Sequence, residues 1–189
     1  INNPLLLGTN ASFFIVAKDT AQSTGAASCC RPLISDDTEY GQDGYTIAFM
    51  RPNAGQPGPG TGQPAIRVDK AANNFTASLG TAPSESFHVY SLTSDSSATS
   101  LFEDGLVLNS QTLSNTTDGS ANYMIGANPN IDVRHYTGDI AEIIVYNRTL
   151  SFTERNTIEQ HLGTKYSISV TGATSGGTLP VTSNLDVWL

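Results

Sequence analysis

Cysteine, histidine, tryptophan and positive charge are all scarce in this 189-residue chain, and each scarcity excludes a class of protein. The only two cysteines are adjacent, Cys29 and Cys30 in "AASCCRPL". One adjacent pair makes no framework of crossing disulfides. Two neighbouring thiols complete a tetrahedral zinc site only with further His or Cys at suitable spacing, and no such spacing is visible. The pair reads either as a vicinal disulfide stiffening a turn or as two small, partly buried residues. The three histidines, His88, His135 and His161, stand far apart in the sequence. Only nine residues are Lys or Arg against seventeen Asp or Glu, for a net charge of −8. No basic stripe exists to displace counterions, which argues against nucleic acid and anionic membranes as partners. No apolar run approaches the ~20 residues of a membrane span, and "INNPLLLGTN" lacks the basic start and apolar core of a signal peptide. The chain reads as a piece of something longer. There is no G-x-S-x-G elbow, H-E-x-x-H helix or P-loop.

What is abundant is strand and turn chemistry. Seventeen Gly and nine Pro accompany many Ser, Thr and Asn, without the Ala, Glu, Lys and Leu periodicity of helical bundles. Strand patterns fall at 12–18, 45–50, 65–69, 74–80, 86–93, 98–104, 106–111, 122–127 and 140–146, and Asp104-Gly105 is a two-residue hairpin signal. The stretch from 19 to 44 reads as one polar loop, and "RPNAGQPGPGTGQPA" as another. Short strands with regular turn signals predict a sandwich or jelly roll. One helix is expected from Phe152 to Leu162. Ser151 and Glu154 form an S-x-x-E capping box, Ile158 and Leu162 lie one turn apart, and Gly163 follows as a stop. "IAEIIVY" before it is almost continuously apolar, as in a central strand covered on both faces. One domain is expected over residues 1–168, then a Ser/Thr/Gly linker over 169–184, then a strand-like stub at 185–189.

The run "YTGDIAEIIVYNRTLSFTERNTIEQHLGTKY", preceded by "FHVYSLTSD", "LFEDGLVLNS" and "YMIGANP", resembles the laminin-G-like, concanavalin A-type domains of large secreted bacterial proteins. Their closing strand follows G-x-I-x-E-V-x-V-Y-x-R-x-L-S. Gly138, Ile140, Glu142, Tyr146, Arg148, Leu150 and Ser151 match it in order. The resemblance covers residues 12–168 and implies an all-β, two-sheet antiparallel jelly-roll sandwich with one short C-terminal helix. It also implies a secreted or cell-surface location and a binding or adhesion role. Hydrolases of this fold carry E-x-D-x-E on one strand face, and this chain has no such run, so no enzyme activity is expected. In such jelly rolls an acidic residue opening the last strand binds calcium, which makes Asp139 the metal candidate, although an Asp at a strand start can equally cap a turn. The acidic loop holding Asp36, Asp37, Glu39 and Asp43 offers a second cation site or a solvated face.

For ligands, "NPNIDVRHYTG" groups Asn130, Arg134, His135 and Tyr136, a polar and aromatic mixture suited to a glycan or surface peptide, or to covering a sheet edge. Family members begin with a strand of type L-x-x-W-L-D-A-S. Here "NLDVWL" ends the chain instead. Val187, Trp188 and Leu189 therefore belong either to an adjacent repeat, or to a strand that completes this domain or a like subunit. The sequence leaves two functions open: a binding module of a larger or polymeric surface protein, or a structural repeat or filament subunit without its own ligand.

Overall fold

The computed structural model describes residues 9–19, 30–35, 45–50, 65–70, 73–78, 86–113, 123–127, 135–172 and 185–188. Its strands are β1 (Ala11–Asp19), β2 (Cys30–Ser35), β3 (Tyr45–Met50), β4 (Ala65–Lys70), β5 (Asn73–Ser78), β6 (His88–Ser94), β7 (Thr99–Glu103), β8 (Leu106–Gln111), β9 (Met124–Ile125), β10 (Gly138–Tyr146) and β11 (Leu185–Trp188). One helix, α1 (Phe152–Tyr166), lies between β10 and β11. The strands form a six-stranded sheet, β11-β10-β1-β6-β7-β8, and a five-stranded sheet, β5-β4-β3-β2-β9. All pairings are antiparallel. The expected two-sheet sandwich with one helix is what the chain forms.

Strand periodicity explains how the layers are filled. Phe13, Ile15 and Ala17 of β1, with Tyr90, Leu92, Leu101, Ile143 and Val145, meet Leu33, Ile47, Phe49 and Val68 of the other sheet. The intervening residues Phe14, Val16, Val89, Ile144 and Tyr146 face the other way, onto Ile158 and Leu162 of α1. The middle of the six-stranded sheet, at β10, β1 and β6, is therefore covered on both faces, which is why "IAEIIVY" has almost no polar residue. Its exception, Glu142, is buried and accepts from Lys165 Nζ at 3.0 Å.

The hairpin signal at Asp104-Gly105 joins β7 to β8 with φ of +48° and +82°, the two positive values a tight primed turn requires. At the helix start, Ser151 Oγ accepts from Glu154 N, and the Glu154 carboxylate accepts from Ser151 N at 2.9 Å. Arg148 Nη2 donates to the same carboxylate at 2.6 Å. The Arg148 bond and the two Ser151 bonds pull the Glu154 carboxyl down to about 2. Ser151→Ala should cost roughly 1 kcal/mol of stability, read as a lower urea midpoint; an unchanged midpoint would mean the cap contributes nothing.

Three sequence expectations are corrected. The loop read from 19 to 44 contains a strand, β2, which pairs with β3 on one side and β9 on the other. Pro32 hides it, since proline cannot donate to a ladder. The register shifts between Pro32 and Ile34, and this irregularity accommodates the proline. The helix does not stop at Leu162 but continues to Tyr166, with Ser167 in the left-handed conformation as its cap. Gly163 is there for close approach: a Cβ would lie 2.7 Å from Val170 Cγ2 and 2.8 Å from Ile168 O. Residues 169–172, read as the start of a linker, lie against the helix and hairpin. Gln160 Nε2 donates to Val170 O at 3.2 Å, Asn156 Nδ2 to Gly172 O at 2.6 Å, and Thr171 N to Asp104 O at 2.8 Å. The segment at 173–184 lies outside the described residues.

Candidate functional site

Two places in the described residues combine polar and aromatic groups. The first is the sandwich end where β1 finishes and β6 and β10 begin, with Asp19 opposite Gly138 and Ala17 opposite His88. There an ion pair crosses between the sheets and closes the core. Arg31 Nη2 lies 2.5 Å from Asp19 Oδ2, Nη1 engages Oδ1, and the side chains are only 5% and 2% exposed. Arg31 Nε and the Tyr136 hydroxyl are buried beside it without hydrogen-bond partners. The Tyr136 ring stacks on Phe49, centroids 6.0 Å apart, and Phe49 meets Tyr90 edge-on at 5.2 Å. Burial pushes the Tyr136 phenol well above its ordinary value.

Outside this plug, His88 Nδ1 lies 2.7 Å from Asp104 Oδ2 and 3.9 Å from a Glu103 oxygen, while Val89 N donates to Asp104 Oδ1 at 2.8 Å. The hydrogen bond to Asp104 raises the His88 imidazole above 6.5, and burial raises the Glu103 carboxyl above 4.5. Both groups hold their protons more tightly folded than unfolded. Their contribution is thus complete below the unfolded values and is lost as pH climbs through the folded ones. The urea midpoint should fall as pH rises from 6.5 through the folded His88 value, and His88→Gln should flatten that slope. An identical slope in the variant would remove His88 from the linkage.

Of the binding and metal candidates picked out in sequence, His135, Tyr136 and Asp139 fall within the described residues. His135 is exposed and bridges Ala127 through its backbone. Tyr136 turns inward, as described, rather than offering its ring to solvent. Asn130, Arg134, the acidic loop, Cys29 and Leu189 lie outside the described residues. Asp139 is 61% exposed and pairs with Lys18 Nζ at 2.8 Å. No group of three His, Cys, Asp or Glu able to hold a metal occurs among the described residues, and the N-terminal segment and the Gly44 region lie outside them. The backbones of Val187 and Trp188 pair with Val145 and Ile144, making β11 an edge strand of the chain's own six-stranded sheet.

The second place is a groove of about 450 Å3 on the outer side of the six-stranded sheet, between the start of α1 and the β7–β8 hairpin. Phe102 and Arg155 form part of its lining, with Leu106, Val107, Leu150 and Phe152 around them and Thr93 supplying a hydroxyl. Phe152, Leu106 and Val107 are 69%, 56% and 61% exposed, an unusual share of free apolar surface for so few residues. Sequence reading missed this groove because its parts come from three separate segments. Phe152 was the available signal: it lies off the helix face that carries Ile158 and Leu162.

Residues 12–154 match the family model described as the concanavalin A-like lectin/glucanases superfamily. The chain belongs to that superfamily. No curated protein matches the chain in sequence. Solved structures share this concanavalin A-like fold at low identity. A heptameric SAP-like pentraxin from Limulus polyphemus has TM-score 0.67 at 9% identity, covering 100% of this chain and 82% of its own. A putative carbohydrate binding protein from Bacteroides ovatus has TM-score 0.60 at 9% identity, covering 100% and 46%. The CBM40 of Ruminococcus gnavus IT-sialidase, bound to α2,3 sialyllactose, has TM-score 0.56 at 14% identity, covering 78% and 81%. The described helix is neither long nor apolar enough to cross a membrane.

Proposed function

We propose that this chain is a non-catalytic carbohydrate-binding module of a larger extracellular protein. The observation that carries the reading is the groove beside α1, where exposed Phe152 adjoins Phe102, Arg155 and the Thr93 hydroxyl on a rigid concanavalin A-like frame. Sugar rings are bound by such a combination, an aromatic face for their C–H groups and a few fixed polar groups for their hydroxyls. Superfamily membership and the carbohydrate-binding neighbours support the same class of ligand. The absence of an E-x-D-x-E run supports binding without hydrolysis.

The test is a glycan array probed with the tagged chain in calcium and again in chelator. Retention on a defined set of sugars is the expected result, and retention on none in either buffer would overturn the reading in favour of a structural repeat. Equal retention in both buffers would take Asp139 and calcium out of ligand binding; loss in chelator alone would put them in.

A further inference from the structure

Arg155 brings a guanidinium to the wall of the groove. Its side chain is only 6% exposed, yet it lines the groove. Nη1 donates to both Glu159 oxygens, at 2.5 and 2.6 Å, and Glu159 also accepts from the Ser91 hydroxyl. Nε and Nη2 make no hydrogen bond among the described residues, and neither is sealed from solvent. Donors that keep some solvent access on a groove-lining side chain are places where a ligand acceptor can replace water.

The rings fix how that acceptor arrives. The guanidinium carbon lies 3.8 Å from the Phe102 centroid and 5.4 Å from that of Phe152, so the cation sits against one phenyl and beside the other. Glu159 neutralises its charge, and the groove therefore offers directed donors without a net positive field. That favours a neutral, hydroxyl-rich ring over an anion. The groove's volume, about 450 Å3, falls in the ordinary range of small-ligand sites.

Resting on the carbohydrate-binding reading, we infer that this groove, rather than the sandwich end, is the sugar site, taking a neutral pyranose residue. Its C–H face lies on Phe152, and its ring hydroxyls accept from Arg155 Nε and Nη2 and bond the Thr93 hydroxyl. The pairing of Arg155 with Glu159 positions those donors, as a buried partner holds any binding side chain in one rotamer.

Three proteins on an array of neutral mono- to tetrasaccharides test this: wild type, Phe152→Ala in the groove and His88→Gln at the sandwich end. Phe152 is 69% exposed, so its removal is expected to leave the melting temperature unchanged. The concentration for half-maximal retention should rise roughly tenfold or more in Phe152→Ala and stay at the wild-type value in His88→Gln. Wild-type retention by Phe152→Ala would overturn the groove while leaving the binding reading intact. No retention by wild type would overturn both. Thr93→Val, which removes a hydroxyl without emptying its place, should show a smaller loss on the same sugars; enhanced retention would contradict the assigned hydrogen bond.

Discussion

Asp19→Ala is expected to lose roughly 3–5 kcal/mol of stability, a large part of the ~5–15 kcal/mol available to a domain. The charge left behind is the reason. Arg31 is 4% exposed and spans from β2 of one sheet to β1 of the other. Without Asp19 the buried guanidinium loses the counter-charge it pairs with among the described residues. Its Nε already lacks a hydrogen-bond partner among the described residues, so one donor of the group is unsatisfied even with Asp19 in place. Replacing both residues, Asp19→Leu with Arg31→Met, should recover most of the loss, because the desolvation cost disappears together with the attraction. Urea unfolding of the two variants checks this. A loss below about 1 kcal/mol in the single variant would show that water reaches the pair and that the sandwich end is open.

Deleting residues 184–189 is the second large effect. β11 pairs along Ile144, Val145 and Tyr146, and without it β10 becomes an edge. At roughly 1 kcal/mol for each ladder hydrogen bond lost, the cost is about 2–4 kcal/mol. The uncovered row of N–H and C=O groups is also a template for another chain, so the truncated protein should self-associate. Light scattering and a melting curve read both consequences. A truncated chain that stays monomeric and equally stable would show that β11 is not needed by this domain and belongs functionally to a neighbour.

How much of this was legible in the sequence depends on how local the signal was. The helix start was readable because Ser151 and Glu154 settle it within four residues. The hairpin at Asp104-Gly105 was readable for the same reason. β2 was not, because Pro32 breaks the donor pattern and only the bulge against β3, a tertiary feature, makes room for it. The helix extension through Gly163 was hidden likewise, since the need for a glycine arises from Val170 and Ile168 lying across the helix. For the binding site, the contiguous "RHY" read as a ligand loop; of it the Tyr136 ring stacks on Phe49, and Arg134 lies outside the described residues. The groove joins residues some sixty positions apart, from Thr93 to Arg155, and no local pattern announces that juxtaposition.

Sugar binding by this domain is tested most directly by adding neutral oligosaccharides stepwise to the isotope-labelled protein and following the backbone amide resonances. Saturable shifts confined to the β7–β8 hairpin and the first turns of α1, around Phe102, Leu106, Phe152 and Arg155, are the predicted result. Amides that remain unmoved at every sugar concentration would contradict it.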